Sequence, residues 1–257
     1  MSYVVPHMFE LFGFSLSYLD LFLLIGTATL VGMAKTGVPG TGMIAVPLLA
    51  IAFGGKESTG LLLTMLIFAD VFGVSYYHRH ANWQHLVKLL PFALFGVLIG
   101  TTFGHLINDD AFRLTMAVII FVSLAQMLWQ ERQSEVPLLD SGWFIAIIGI
   151  LGGFTTMVGN LAGPVMSLYL LAMRFPKNEF IGTAAWFFLC INLFKVPFHI
   201  WVWGTVSWQS TALTAILIPV IALGAAIGIW LVGKINEYWF RRFVIAMTAV
   251  AAVVMLF

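Results

Sequence analysis

Apolar residues fall in long runs interrupted by glycine, proline or short charged clusters, and these runs divide the chain into about ten segments. They cover roughly residues 16–34, 41–54, 58–77, 86–105, 111–130, 142–158, 161–174, 178–203, 209–233 and 236–257. A helix crossing the hydrocarbon core of a bilayer needs about 20 residues. The second and seventh segments fall short of that length. Both adjoin Gly-rich breaks, at residues 35–42 and 159–164. The other segments are long enough to span.

Composition turns this pattern into a class. Of 257 residues, 61% are hydrophobic and 9% charged, against about 25% charged in ordinary soluble domains. So few charges cannot coat a globule, and the apolar remainder would leave far more exposed patch than a soluble monomer tolerates. Soluble enzymes and nucleic-acid binders are thereby excluded, and the chain is expected to be an all-α polytopic membrane protein. Its first cation is Lys35, so no leader with a basic n-region is expected. The single cysteine, Cys190, excludes an internal disulfide and sits in an apolar run as a small hydrophobe.

The sequence also repeats itself. At an offset of 122, Gly37 meets Gly159, Glu57 meets Glu179, Gly60 meets Gly182 and Phe72 meets Phe194. Beyond two short insertions, Trp83 meets Trp208, and Pro91, Gly96 and Gly100 meet Pro219, Gly224 and Gly228. Residues 107–109 and 112–113 then meet 235–237 and 240–241. The expected organisation is a first repeat of five segments over 1–130, a cytoplasmic linker at 131–141, and a second repeat of five over 142–257.

Five is odd, so the second repeat should be inverted relative to the first. Charge placement agrees. With ten crossings, one side collects Lys35, Arg79, Lys88, Arg132, Arg174, Lys177, Lys234, Arg241 and Arg242, and the other only Lys56 and Arg113. The cation-rich side is expected to be cytoplasmic and both termini periplasmic, in a bacterial inner membrane. Two short crossings or a re-entrant hairpin at the start of each repeat preserve this parity. An eight-crossing variant, in which only the short segment fails to cross, makes the halves parallel and remains open.

Inverted repeats with broken helices are the architecture of secondary transporters, whose sites lie near the midplane at helix ends. Irregular backbone at membrane depth survives only where it is buried or lines a cavity. In the first break, Gly37 and Gly40 allow close backbone approach, Pro39 can open the next helix, and Lys35 and Thr36 add a cation and a hydroxyl. In the second, Asn160 supplies an amide, Gly163 a bare backbone, and Pro164 a helix start. Gly96, Gly100, Gly224 and Gly228, each pair spaced by four, are read as helix-packing residues.

Asp70 and Lys195 lie inside long apolar segments, where an ionisable group needs a function or a partner. Asn192, Lys195 and His199 share one helix face by their spacing. The substrate-binding candidates are therefore Lys35, Thr36, Gly37, Gly40, Asn160, Gly163, Asn192 and Lys195, with Asp70 and His199 as coupling or gating residues. For Asp70 and Lys195 a structural ion pair or helix-linking hydrogen bonds is the competing reading. The i, i+2 pair His78 and His80 lacks further ligands, so zinc is not expected. Tryptophans near segment ends, Trp83, Trp201, Trp203, Trp208 and Trp239, read as an interfacial belt, with Trp186 deeper.

Residues 34–42 with Ala45-Val46-Pro47, then Ala69-Asp70-Val71-Phe72-Gly73-Val74, Tyr77-His78-Arg79-His80 and Leu89-Leu90-Pro91, resemble signatures of the sulfite exporter TauE/SafE family. Asn160-Leu161-Ala162-Gly163-Pro164, Gly182-Thr183-Ala184 and Asn192-Leu193-Phe194-Lys195-Val196-Pro197 look like the matching pattern in the second half. The resemblance covers roughly residues 18–257. It implies transport of sulfur-containing anions: sulfite, thiosulfate, or organosulfonates such as sulfoacetate and taurine-derived products. It leaves export versus import open.

The resulting expectation is a secondary transporter moving a small organosulfur oxyanion by alternating access. Its partners would be that anion and membrane lipid, without nucleic acid, with protons as a coupling ion and a homo-oligomer left open. No cofactor is expected. No P-loop is present, so a gradient or downhill flow must supply the energy. An anion channel, or a transporter of another small carboxylate or phosphonate, would use the same cations. An intramembrane enzyme would need a motif such as His-Glu-x-x-His or a second intramembrane aspartate, and neither is present.

Overall fold

The computed structural model describes residues 9–38, 40–108 and 142–236, with scattered positions between 110 and 125 and between 238 and 246. Pro39, the linker at 131–141 and most of the fifth and tenth segments lie outside the described residues. The chain enters through a small antiparallel hairpin, β1 (Phe9–Leu11) and β2 (Phe14–Leu16). Its two-residue turn, Phe12-Gly13, has positive φ at both positions, which matches the twist of paired strands. Apolar periodicity alone did not suggest this hairpin.

Helix α1 (Tyr18–Lys35) follows, started by a capping box in which Ser17 and Asp20 satisfy each other's backbone N–H groups. Next come α2 (Thr41–Phe53), α3 (Gly55–Tyr77), one 3-10 turn (His78–His80) and α4 (Trp83–Leu106). In the second half follow α5 (Gly142–Gly159), α6 (Ala162–Ala172), α7 (Lys177–Trp201), α8 (Trp208–Ala215) and α9 (Ile218–Lys234). Among the described residues, α1, α3, α4, α5 and α7 are long and apolar enough to cross a membrane. The 13-residue α2 and 11-residue α6 are not. The ninth segment, expected as one span, is broken into α8 and α9, bent by 53°. Pro219 in the first turn of α9 has no N–H to continue the ladder of α8.

Helix α1 packs on α9, α4 on α5, and α3 on α7. The first two contacts are close because glycines remove side chains from them. A Cβ on Gly32 would fall on the Ile221 carbonyl, one on Gly224 on that of Thr29, one on Gly96 on that of Ile150 and one on Gly153 on that of Ala93. The packing role read for Gly96 and Gly224 from sequence is the one they have. Shifted by the repeat offset, α1 becomes α5, α3 becomes α7, and α4 becomes α8 with α9, so the first two helix pairs exchange.

The α3–α7 pair maps onto itself. Gly60, near the start of α3, abuts Thr205 just beyond the end of α7. Gly182, near the start of α7, abuts Tyr77 at the end of α3 and His80 just beyond it. At the middle, Asp70 and Asn192, separated by the offset of 122, are hydrogen-bonded to each other. These contacts run the two helices antiparallel. Large apolar side chains such as Phe22, Ile51, Val87, Phe95 and Leu223 face outward, as a lipid solvent allows. Trp83, Trp201, Trp208 and Trp239 are exposed as the belt reading expects, but Trp203 is buried. Its indole N–H donates to the Thr101 carbonyl at 3.1 Å, which holds the α7–α8 loop to α4.

Candidate substrate site

Both breaks are shaped by local backbone chemistry. Helix α1 ends at Lys35, a cation in the last turn where it complements the helix dipole. The Val38 N–H turns back to the Met33 carbonyl at 3.0 Å, and Gly37 sits at φ 125, outside the range of ordinary side chains. A Cβ on Gly37 would also come within 2.9 Å of Ile181. The Thr41 hydroxyl then bonds the Val38 and Leu30 carbonyls at 2.8 and 3.0 Å, folding the start of α2 against α1. In the second half, α5 stops because Asn160 adopts the left-handed region at φ 58, a conformation its short amide tolerates. Helix α6 begins two residues later with Pro164 in its first turn.

The two breaks face a common cavity of about 780 Å³ of empty space, its open mouth included. Lys35, Gly37, Gly40, Asn160, Gly163 and Asn192 line it, six of the eight residues expected from sequence. The rest of the wall is largely apolar, with Leu66, Met166, Leu170, Phe180, Ile181 and Phe188 among its residues.

Behind the polar end of the cavity lies a continuous network. The Lys35 ammonium pairs with Asp70 Oδ1 at 2.8 Å and lies 3.8 Å from the centroid of the Phe188 ring. Asn192 Nδ2 donates to Asp70 Oδ2 at 2.6 Å. Lys195 Nζ donates to Asn160 Oδ1 at 2.6 Å, and to Asn192 Oδ1 and Thr156 Oγ1 at 3.1 Å each. Asn160 in turn donates to the Thr59 carbonyl at 3.1 Å. Every link joins different elements except the step from Lys195 to Asn192, so α1, α3, α5 and α7 are tied together by it. The Asp70 and Lys195 side chains are fully buried, and Lys35 is 8% exposed. Gly73 lets α3 approach α1 here, since a Cβ on it would sit 2.6 Å from the Lys35 carbonyl.

Two expected residues lie elsewhere. The Thr36 hydroxyl is engaged by the Gly32 and Ala225 carbonyls at 3.0 and 2.9 Å, joining α1 to α9 away from the cavity. His199 does share a face of α7 with Lys195, but its Nδ1 is 2.8 Å from the Thr205 hydroxyl and its ring meets Trp203 edge-on at 4.9 Å. It therefore belongs to the packed loop after α7, not to the cavity wall. Thr156 and Phe188 were missed. Each lies four residues before a polar candidate, Asn160 or Asn192, so helical spacing carried a signal for both.

No curated protein sequence matches the chain closely enough to serve as a relative. The model of one family does match, described as Sulfite exporter TauE/SafE, over residues 24–255. That stretch includes both breaks, every residue of the polar network and the whole cavity wall, and the chain belongs to the sulfite exporter TauE/SafE family.

Proposed function

We propose that the protein is a secondary transporter that carries a small organosulfur oxyanion across the bacterial inner membrane by alternating access. One observation carries this reading: the two helix breaks, far apart in sequence, converge on one cavity whose polar end is backed by two buried lysines. Irregular backbone and buried cations are both costly in a bilayer unless they line a solute path. Lys35, Asn160 and Asn192 present cation and amide donors to a group with several acceptor oxygens, and a sulfonate or sulfite head is such a group. Gly37, Gly40 and Gly163 let backbone come close to it. Lys195 holds Asn160 and Asn192 in place from behind.

The pairing of equivalent elements across α3 and α7 supports two inverted halves, 1–130 and 142–257. Alternating access then follows from one half exchanging conformation with the other around the fixed network. The cavity runs from that network along the N-terminal half of α7, toward the end that carries Lys177 and Arg174. In this reading the cation-rich face is cytoplasmic, both termini are outside, and the cavity opens inward. On the opposite side, the Trp203–Thr101 and His199–Thr205 hydrogen bonds keep the path shut.

A ligand panel on the purified protein tests the assignment. Sulfite, thiosulfate, sulfoacetate or taurine should raise the unfolding temperature, and Lys35→Ala should abolish the shift while the variant remains folded. Stabilisation by acetate or phosphate with none by any sulfur anion would sink the substrate assignment. Flux into proteoliposomes at solute-carrier rates, without unitary currents, would separate a carrier from a channel.

A further inference from the structure

The polar face of α7 does not stop at the cavity. Phe188 and Asn192 line the cavity wall, and steps of three and four residues carry the same helix face on through Lys195 to His199. At about 1.5 Å of rise per residue, His199 lies about 10 Å beyond Asn192, toward the end where the path is shut. Its side chain is fully buried. The loop after α7 closes on it. The Thr205 and Val206 N–H groups donate to its carbonyl at 2.9 and 3.2 Å, and the Thr205 hydroxyl meets ring Nδ1 at 2.8 Å. Nε2 has no hydrogen-bond partner. An unpaired buried polar atom is costly, so one that is kept calls for an occupant or a function. Trp203 covers the ring, edge-on at 4.9 Å, while its own N–H is bonded to the Thr101 carbonyl. Lys56 Nζ lies 5.4 Å from the centroid of the same indole. Trp203 thus touches the buried histidine, α4, and a cation at the start of α3.

Resting on the transport reading above, we infer that His199 is a second solute-contacting residue, reached when the outer half of the path opens and Trp203 leaves the ring. With the Thr205 hydroxyl donating to Nδ1, the ring carries its proton on Nε2 and offers that N–H to a solute oxygen. In the closed half the donor stays unpaired; in the outward-open conformation the solute pairs it. Lys56, at this end of the molecule, draws an anion toward the mouth. From His199 the head group follows one face of α7 to Asn192 and then to Lys35. A single hydrogen bond from an uncharged ring holds an oxyanion loosely enough to pass it on. Thr205 is a positioning residue in this scheme, because it fixes which ring nitrogen faces the solute.

Two substitutions separate the ring nitrogens. His199→Asn keeps an acceptor for the Thr205 hydroxyl and removes Nε2, whereas His199→Gln keeps an N–H at the place of Nε2 and gives up Thr205. The assay is uptake of radiolabelled sulfite or sulfoacetate from the outer face of proteoliposomes, beside calorimetric binding to the purified protein, whose cavity opens inward. His199→Asn should raise the outer KM roughly tenfold, the size of one lost hydrogen bond, with the calorimetric dissociation constant unchanged. His199→Gln should hold the outer KM within about twofold of the unmodified protein. The reverse order, equal impairment or no change in either variant confines His199 to packing against Thr205 and overturns the inference. A measurement on the unmodified protein covers variants that misfold. Diethyl pyrocarbonate should carbethoxylate His199 in proteoliposomes, and sulfoacetate should slow that reaction relative to the exposed His78 and His80, read by mass spectrometry. A His199 that never reacts, or reacts equally with and without the anion, also overturns it. Those results leave the transport reading standing. No uptake of either anion by the unmodified protein overturns both.

Discussion

Removing one member of the Lys35–Asp70 pair should destabilise the protein far more than removing both charges together. The two groups are 2.8 Å apart, with side chains 8% and 0% exposed. At an effective dielectric of about 20, Coulomb attraction at that distance is on the order of 6 kcal/mol. Desolvation of both ions cancels much of it, but a lone survivor keeps its desolvation cost without the attraction. Breaking one partner of a buried pair typically costs about 3–5 kcal/mol. Asp70 retains the Asn192 amide in Lys35→Met, which places that variant at the lower end. Asp70→Asn leaves Lys35 with a neutral acceptor and the Phe188 ring. The double variant removes both ions, so the two losses should fall short of additivity by about 2–4 kcal/mol, well above the ~0.5 kcal/mol scatter of independent sites. Equilibrium unfolding in mixed detergent micelles, with dodecyl sulfate as denaturant, measures the four free energies. Raising the salt to 1 M should leave the coupling unchanged, because the pair is shielded from solvent ions. Losses that add within error would refute the buried pair.

Three further substitutions test neighbouring parts of the structure. Thr36→Val removes the hydroxyl bonded to Ala225 and should cost about 1 kcal/mol of stability with sulfonate affinity unaltered; a lost affinity would return Thr36 to the binding site. Gly60→Ala drives a methyl group into the Thr205 carbonyl and should destabilise by about 1–3 kcal/mol, seen as a lower unfolding temperature; a neutral outcome would contradict the packing of α3 on the loop beyond α7. Lys177→Met withdraws an ammonium that caps the Val232 and Ile235 carbonyls at 3.0 and 2.7 Å, at a cost of about 0.3–1 kcal/mol by unfolding; no change would mean that solvent caps the end of α9 equally well.

The spans, the two breaks and the buried ionisable residues were legible in the chain because each is a local property. Apolar run length reports bilayer thickness, and a Gly- or Pro-rich interruption reports where a helix must stop. Lys35, Asp70 and Lys195 stand out because a charge inside such a run needs a reason. Asp70 and Asn192 are separated by the same 122 residues as the matched pairs, but matching positions gave no reason for these two to touch. What the chain could not disclose is which side chains share a space. Thr36 and Thr156 are equally plausible hydroxyls beside a break, yet one points to Ala225 on α9 and the other to Lys195. The Thr59 carbonyl reaches Asn160 across 101 residues, and Trp203 reaches Thr101 across 102. Such contacts depend on how two helices are rotated about their axes where they cross. That rotation is set by the whole packed bundle, through glycine contacts such as those of Gly60 and Gly182, and has no signature within any one segment. The sequence by itself therefore determined the membrane class, the two breaks and the charged residues. The tertiary structure alone decided that Lys35 pairs with Asp70 while Lys195 reaches Asn160 and Asn192, because those contacts exist only once α1, α3, α5 and α7 meet.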